Sequence, residues 1–223
     1  MKKHLVLLNG NTNLAMTDAM AHRTRQFMGS AVNVSTMTAT ESVAYIGSER
    51  DCATAAAAVL GMAEHCLQRS STSPDAILLA CFGEPGMAAV REFSPVPVVG
   101  MLEASLLTAI QLGQRFSIIT LGKRWPRMIE DVLNRLGVGR YCIGIDAMVI
   151  DDLLLPEQRA QARERLQKVV DAQCERLAPD AIIIGGAALT GLREEVSYPS
   201  SVKLLDSLDA ALAQASALIS LPR

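Results

Sequence analysis

The chain has 223 residues, half of them hydrophobic and a fifth charged. That is enough to bury a core as one domain or two small lobes, and too apolar for a disordered chain. Its formal net charge of −2 gives no electrostatic reason to bind nucleic acid or an anionic membrane. Lys2 and Lys3 precede only a short apolar run that stops at Asn9 and Gly10, so no secretory signal is expected. The most apolar stretch, 53–63, is far short of the ~20 residues a bilayer needs. The five cysteines (52, 66, 81, 142 and 174) are odd in number and form no CxxC pair. A reducing, cytoplasmic compartment without disulfides is the expectation.

Short apolar runs alternate with longer amphipathic segments, the pattern of parallel strands covered by helices. In chain order it predicts a strand at 4–8, a helix at 14–28, a strand by alternation at 32–36, and a helix at 51–69. Strands at 76–80 and 96–100 follow, then a helix at 102–112, a strand at 116–120 and a helix at 124–136. The remainder reads as a weaker strand at 141–145, a helix at 156–177, and strands at 181–185 and 202–205. Pro156 suits a first helical turn, and Leu166, Val169, Val170, Cys174 and Leu177 share one face of that helix.

An internal repeat runs through this alternation. Pro74-Asp-Ala-Ile-Leu-Leu-Ala-Cys81 matches Pro179-Asp-Ala-Ile-Ile-Ile-Gly-Gly186 at an offset of 105, and in each copy a helical turn then leads to another strand. So long a period implies duplication of a whole lobe. The expected fold is α/β, with two pseudo-symmetric lobes at 1–100 plus 207–223 and at 101–206. Each lobe holds a small doubly wound parallel sheet of about four strands, and the site lies in the cleft between them. An eight-stranded βα barrel also fits the strand count, but the chain is at the short end for that fold.

Three loops leave strand ends: Asn9-Gly-Asn-Thr-Asn13, Cys81-Phe-Gly-Glu-Pro-Gly86 and Gly185-Gly-Ala-Ala-Leu-Thr-Gly191. Their Asn, Thr and Gly residues suit tight turns and capping. They also leave backbone N–H groups able to seat a carboxylate. Cys81 lies one step past a buried strand, where a nearby helix N-terminus is expected to lower its pKa and make the thiolate a usable base. The other four cysteines read as small buried hydrophobes. Glu84 either orients a polar substrate group or caps the Pro85 turn. His4, His22 and His65 are scattered, no zinc-ligand spacing is present, and there is no GxSxG, GxxxxGK or GxGxxG motif.

These segments resemble the Asp/Glu racemase superfamily, most closely its hydantoin and allantoin racemase branch. The resemblance rests on Leu8-Asn-Gly-Asn-Thr-Asn13, Ala80-Cys-Phe-Gly-Glu-Pro-Gly86, Val98-Val-Gly-Met-Leu-Glu-Ala104 and Phe116-Ser-Ile-Ile-Thr120. It implies two lobes around one site, with one cysteine from each lobe working on opposite faces of a carbon acid without pyridoxal phosphate or metal. A small carboxylate or imide substrate would be held by backbone N–H groups after each cysteine and by the first-strand loop. Cys81 then stands as the catalytic thiol. Asn9, Asn11, Thr12, Phe82, Gly83 and Thr120 line the site, with Gly186, Ala187 and Ala188 from the second lobe. The second cysteine of the family pattern falls on Gly186, so a two-thiol racemase is not available.

Three functions fit that departure. One is proton transfer by Cys81 with a water serving the other face. The others are a one-cysteine decarboxylation of a malonate-type acid and binding of a small carboxylate without turnover. A homo-oligomer is compatible with the sequence, although no dimer stripe stands out.

Overall fold

A computed structural model of the chain describes residues 2–68, 73–149 and 156–221. Among them, β1 (Lys3–Asn9), α1 (Leu14–Met28), β2 (Val32–Thr38), α2 (Glu49–Gln68), β3 (Ala76–Leu79), α3 (Met87–Phe93) and β4 (Val98–Gly100) build one parallel sheet. After α4 (Met101–Leu112) come β5 (Phe116–Leu121), α5 (Trp125–Leu136), β6 (Cys142–Met148), α6 (Pro156–Leu177), β7 (Ala181–Ile184), β8 (Lys203–Asp206) and α7 (Ser207–Ile219). The two sheets have the orders β2-β1-β3-β4 and β6-β5-β7-β8. One four-strand plan is therefore used twice. Arg69, expected to end the second helix, lies outside the described residues.

Position in the sheet explains how each strand reads. The inner strands β3, β5 and β7 are buried along their whole length, because helices cover both faces of a parallel sheet. They read as unbroken apolar runs. Of the four edge strands, β2 and β6 are half-exposed while β4 is buried, and the exposure of β6 is why 141–145 is the weakest strand in the sequence. Helix ends follow local chemistry. The Asn13 side chain accepts from the Met16 N–H at 2.9 Å at the start of α1, and Gly137, at φ 69°, closes α5.

The chain divides into two compact units, Met1–Leu102 with Leu208–Arg223, and Glu103–Ser207. In the first, Val6, Leu8, Val59, Met62, Ile77, Leu79, Met87 and Val90 form a core on the side of the sheet that α2 and α3 cover. Helix α7 belongs to this unit and is tied to α1 by a two-pronged ion pair. Arg23 donates through Nε and Nη2 to the Asp209 carboxylate at 2.8 and 2.6 Å.

In the second unit, Ile119, Leu121, Leu166, Val170, Ile182, Ile184 and Leu189 form the corresponding core. Buried Gln173 on α6 accepts from the Ser117 hydroxyl at 2.7 Å and donates to Asp146 at 2.8 Å and to the Ile118 carbonyl at 3.2 Å. The repeat is imperfect in one place. A seven-residue helix, α3, stands where only a helical turn is expected after β3. After β7 the chain makes two short 3₁₀ turns, Ala187–Leu189 and Leu192–Glu195. No helix among the described residues is long and apolar enough to cross a membrane.

Candidate active site

In the first unit, the parallel pairing of β1 with β3 sets Leu8 beside Leu79, and the Ala80 N–H donates to the Leu8 carbonyl at 2.8 Å. The chain beyond them, Asn9-Gly10 on one side and Ala80-Cys81 on the other, therefore runs on side by side at this end of the sheet. Helix α2 presses on them. A Cβ on Gly10 would come within 2.9 Å of Val59 Cγ2, 3.4 Å of Ala55 Cβ and 3.5 Å of Pro85 Cγ. Glycine is needed there because helix, loop and turn meet at that point.

The loop after β1 is ordered by its own side chains. Asn9, fully buried, accepts from the Asn11 N–H at 3.2 Å. Its amide donates to Asn11 Oδ1 and Thr17 Oγ1, both at 2.9 Å, and to the Asn13 carbonyl at 3.3 Å. Asn11 Oδ1 also accepts from the Asn13 N–H at 2.9 Å, and the Thr12 N–H donates to the Val43 carbonyl at 3.0 Å. The Asn11 amide makes one long contact to Met16 Sδ at 3.5 Å. Thr12 is half-buried.

The loop after β3 makes tight turns. The Glu84 N–H donates to the Cys81 carbonyl at 3.1 Å and the Met87 N–H to the Glu84 carbonyl at 3.2 Å, with Glu84 at φ 49° and Gly86 at φ 75°. Phe82 is 2 % and Cys81 8 % exposed, while Gly83 is half-buried. Glu84 is buried, and its carboxylate lies against Gly100, where a Cβ would collide with it. The ring of Phe82 is enclosed by the fold, so the sulfur, the Glu84 carboxylate and the backbone of the turn are the chemistry of this loop.

The expectation that a helix terminus lowers the Cys81 pKa is corrected. Burial pushes the thiol up from its usual value to about 12. The Gly83 N–H, and more weakly that of Glu84, pulls the other way, while the charges of Cys52 and Glu84 add to the rise. Helix α3 begins only at Met87, and the amides that act on the sulfur belong to the turn before it. At rest Cys81 is a thiol, not a thiolate. Desolvation outweighs the two amides because an anion in a dry site loses its whole hydration shell.

In the second unit, Thr120 is buried within β5. Ala187 and Ala188 form the half-buried 3₁₀ turn that follows Gly186. Gly186 itself has φ 123°, donates its N–H to Ser207 Oγ at 3.4 Å, and would have nothing within 4 Å of an added Cβ. The Gly191 N–H donates to Asp206 Oδ2 at 2.7 Å, fixing the far end of that loop. Sequence reasoning missed Thr17, Thr38, Asp206 and Ser207. Only the last two carried a signal, a polar pair at the junction of β8 and α7. Among the described residues no group of three or more His, Cys, Asp or Glu could hold a metal ion.

The sequence profile described as Asp/Glu/Hydantoin racemase matches residues 5–215. The chain belongs to the Asp/Glu/hydantoin racemase family. Within this family, a hydantoin racemase of Rhizobium meliloti is 29 % identical over 216 residues, covering 97 % of this chain and 88 % of the relative. The solved allantoin racemase from Klebsiella pneumoniae superposes with a TM-score of 0.90 at 25 % identity, over 98 % of this chain and 88 % of that one. The allantoin racemase AllR of Pseudomonas fluorescens gives 0.86 at 25 % identity, over 97 % and 90 %. These relatives are named as racemases, which are isomerases. The family's α/β fold with two four-strand parallel sheets is the fold of this chain.

Proposed function

We propose that this racemase-family chain moves a proton at the acidic α-carbon of a hydantoin- or allantoin-like imide, with Cys81 as its single thiol acid/base and no cofactor. The observation that carries the proposal is the placement of Cys81: at a strand exit, beside the ordered loop after β1, with the Gly83 and Glu84 amides directed at its sulfur. An uncharged imide suits the loops better than a free carboxylate. Neither 9–13 nor 81–86 contains Lys, Arg or His, and Glu84 adds negative charge near the sulfur. Five free cysteines suit a reducing cytoplasm.

In the reaction, Cys81 Sγ as thiolate takes the α-proton, and the C–H electron pair moves onto the adjacent carbonyl oxygen to give a planar enolate. Return of the proton from Cys81 regenerates the same enantiomer, whereas delivery from water at the other face inverts the centre. With no thiol at position 186, exchange with solvent should outrun racemisation. The check is a time course in D₂O with allantoin and 5-substituted hydantoins, following α-deuteration by NMR and optical rotation in parallel. Deuteration well ahead of loss of rotation is expected, and a drop of about 10²-fold or more in Cys81→Ser. Full exchange persisting in Cys81→Ser would remove the thiol from the mechanism.

The resting protonated thiol favours one second reading: Cys81 as the acid that protonates an enediolate after a malonate-type substrate loses CO₂. Release of CO₂ from a substituted malonate, with no exchange on imides, would establish that reading instead.

A further inference from the structure

We infer that Thr17, on the first turn of α1, is the positioning residue that sets the substrate loop after β1 for the reaction proposed above. Its hydroxyl joins three elements in a site where it is 1 % exposed. It accepts from Asn9 Nδ2 at 2.9 Å at the end of β1 and from Thr38 Oγ1 at 2.7 Å at the end of β2, and donates to the Asn13 carbonyl at 3.3 Å at the N-cap of α1. One proton and two acceptor sites are all a hydroxyl has, so this one is saturated.

The consequence concerns which groups remain for a ligand. The Asn9 amide has two protons and three acceptors around it, Asn11 Oδ1, Thr17 Oγ1 and the Asn13 carbonyl, and its oxygen takes the Asn11 N–H. The N–H groups of Asn11, Thr12 and Asn13 are likewise engaged. What the loop's side chains still hold for a ring imide includes the Thr12 hydroxyl and the Asn11 Nδ2 proton not given to Met16 Sδ. Asn9 shapes the loop and does not touch the substrate. Thr17 holds Asn9, and through it the rotamer of Asn11. A valine fits the same volume but takes an acceptor from both the Thr38 hydroxyl and the Asn9 amide, while the Asn13 carbonyl keeps the Thr17 N–H at 3.2 Å; the Asn9 amide loses a contact that fixes its rotamer, and the loop shifts with it.

The test compares Thr17→Val, Thr17→Ser and Thr24→Val. Thr24 is a second fully buried threonine on α1, whose hydroxyl donates only to the Met20 carbonyl at 2.7 Å, so its valine variant reports the cost of burying a valine in this helix. For solvent exchange on allantoin, Thr17→Val should raise KM about tenfold or more while the saturated rate changes less than about threefold. Thr17→Ser should restore KM, and Thr24→Val should leave it unchanged despite a similar loss of melting temperature. In a Cys81→Ser background, calorimetric titration with allantoin should show Thr17→Val weakening Kd by the same factor. Equal KM and Kd in Thr17→Val and the parent would overturn the inference, as would an equal effect from Thr24→Val. If exchange survives Cys81→Ser while the Kd pattern holds, the thiol mechanism fails and the role of Thr17 stands. If allantoin fails to bind the Cys81→Ser protein at all, both fall.

Discussion

At Cys81 two demands conflict. The strand exit that places the sulfur also dries it, so the thiol is held near 12 when its ordinary value is about 9. At neutral pH the thiolate is then roughly one part in 10⁵. Exchange that depends on the thiolate should rise about tenfold per unit between pH 7 and 9, and a flat profile there would point to the thiol acting as an acid. The same shift bears on stability. The raised folded value favours the protonated form, so between about pH 9 and 12 the unfolded chain has released a proton that the folded chain keeps. Stability should fall by about 1.4 kcal/mol per pH unit from this group alone. Denaturant titrations at pH 8 and 10 should show a smaller loss in Cys81→Ala than in the parent.

Gly186 poses the opposite problem. Space is open around it but its φ of 123° is one that a residue with a Cβ seldom adopts. Gly186→Cys and Gly186→Ala should each cost about 1–3 kcal/mol, read as similar drops in melting temperature. A neutral Gly186→Ala would show that the loop relaxes freely.

At the scale of elements, α7 returns to the first unit and is held by Arg23 and Asp209, whose side chains are 22 % and 12 % exposed. A charge-assisted, two-pronged pair in such a place is worth more than a surface ion pair. A double-mutant cycle of Arg23→Met with Asp209→Asn should give a coupling of about 1–2 kcal/mol by denaturant unfolding; a coupling near zero would mean that apolar contacts alone seat the helix. Most element positions were legible in the sequence. Helices 14–28 and 156–177 have the bounds expected of them, because Asn13 and Pro156 punctuate strong helical runs. The edge strand β6 was least legible, since half-exposed residues blur the apolar signal. Helix α3 was reduced to a turn because its seven residues are too few to show a period.

At the scale of the molecule, two units of like sheet order differ most after β3 and β7. That is where one carries Cys81 and α3, and the other Gly186 and short 3₁₀ turns. Family, fold class and the repeated strand order were readable from sequence, because apolar period, turn residues and the Cys-Phe-Gly-Glu-Pro-Gly run are local properties of the chain. The protonation state of Cys81 was not, because it depends on how much water the surrounding elements exclude. Nor was the use of Asn9. Its partner Thr17, and Thr38 which bonds to Thr17 in turn, are 8 and 29 residues away, and only the folded ends of β1, α1 and β2 bring the three side chains within 3 Å of one another in succession.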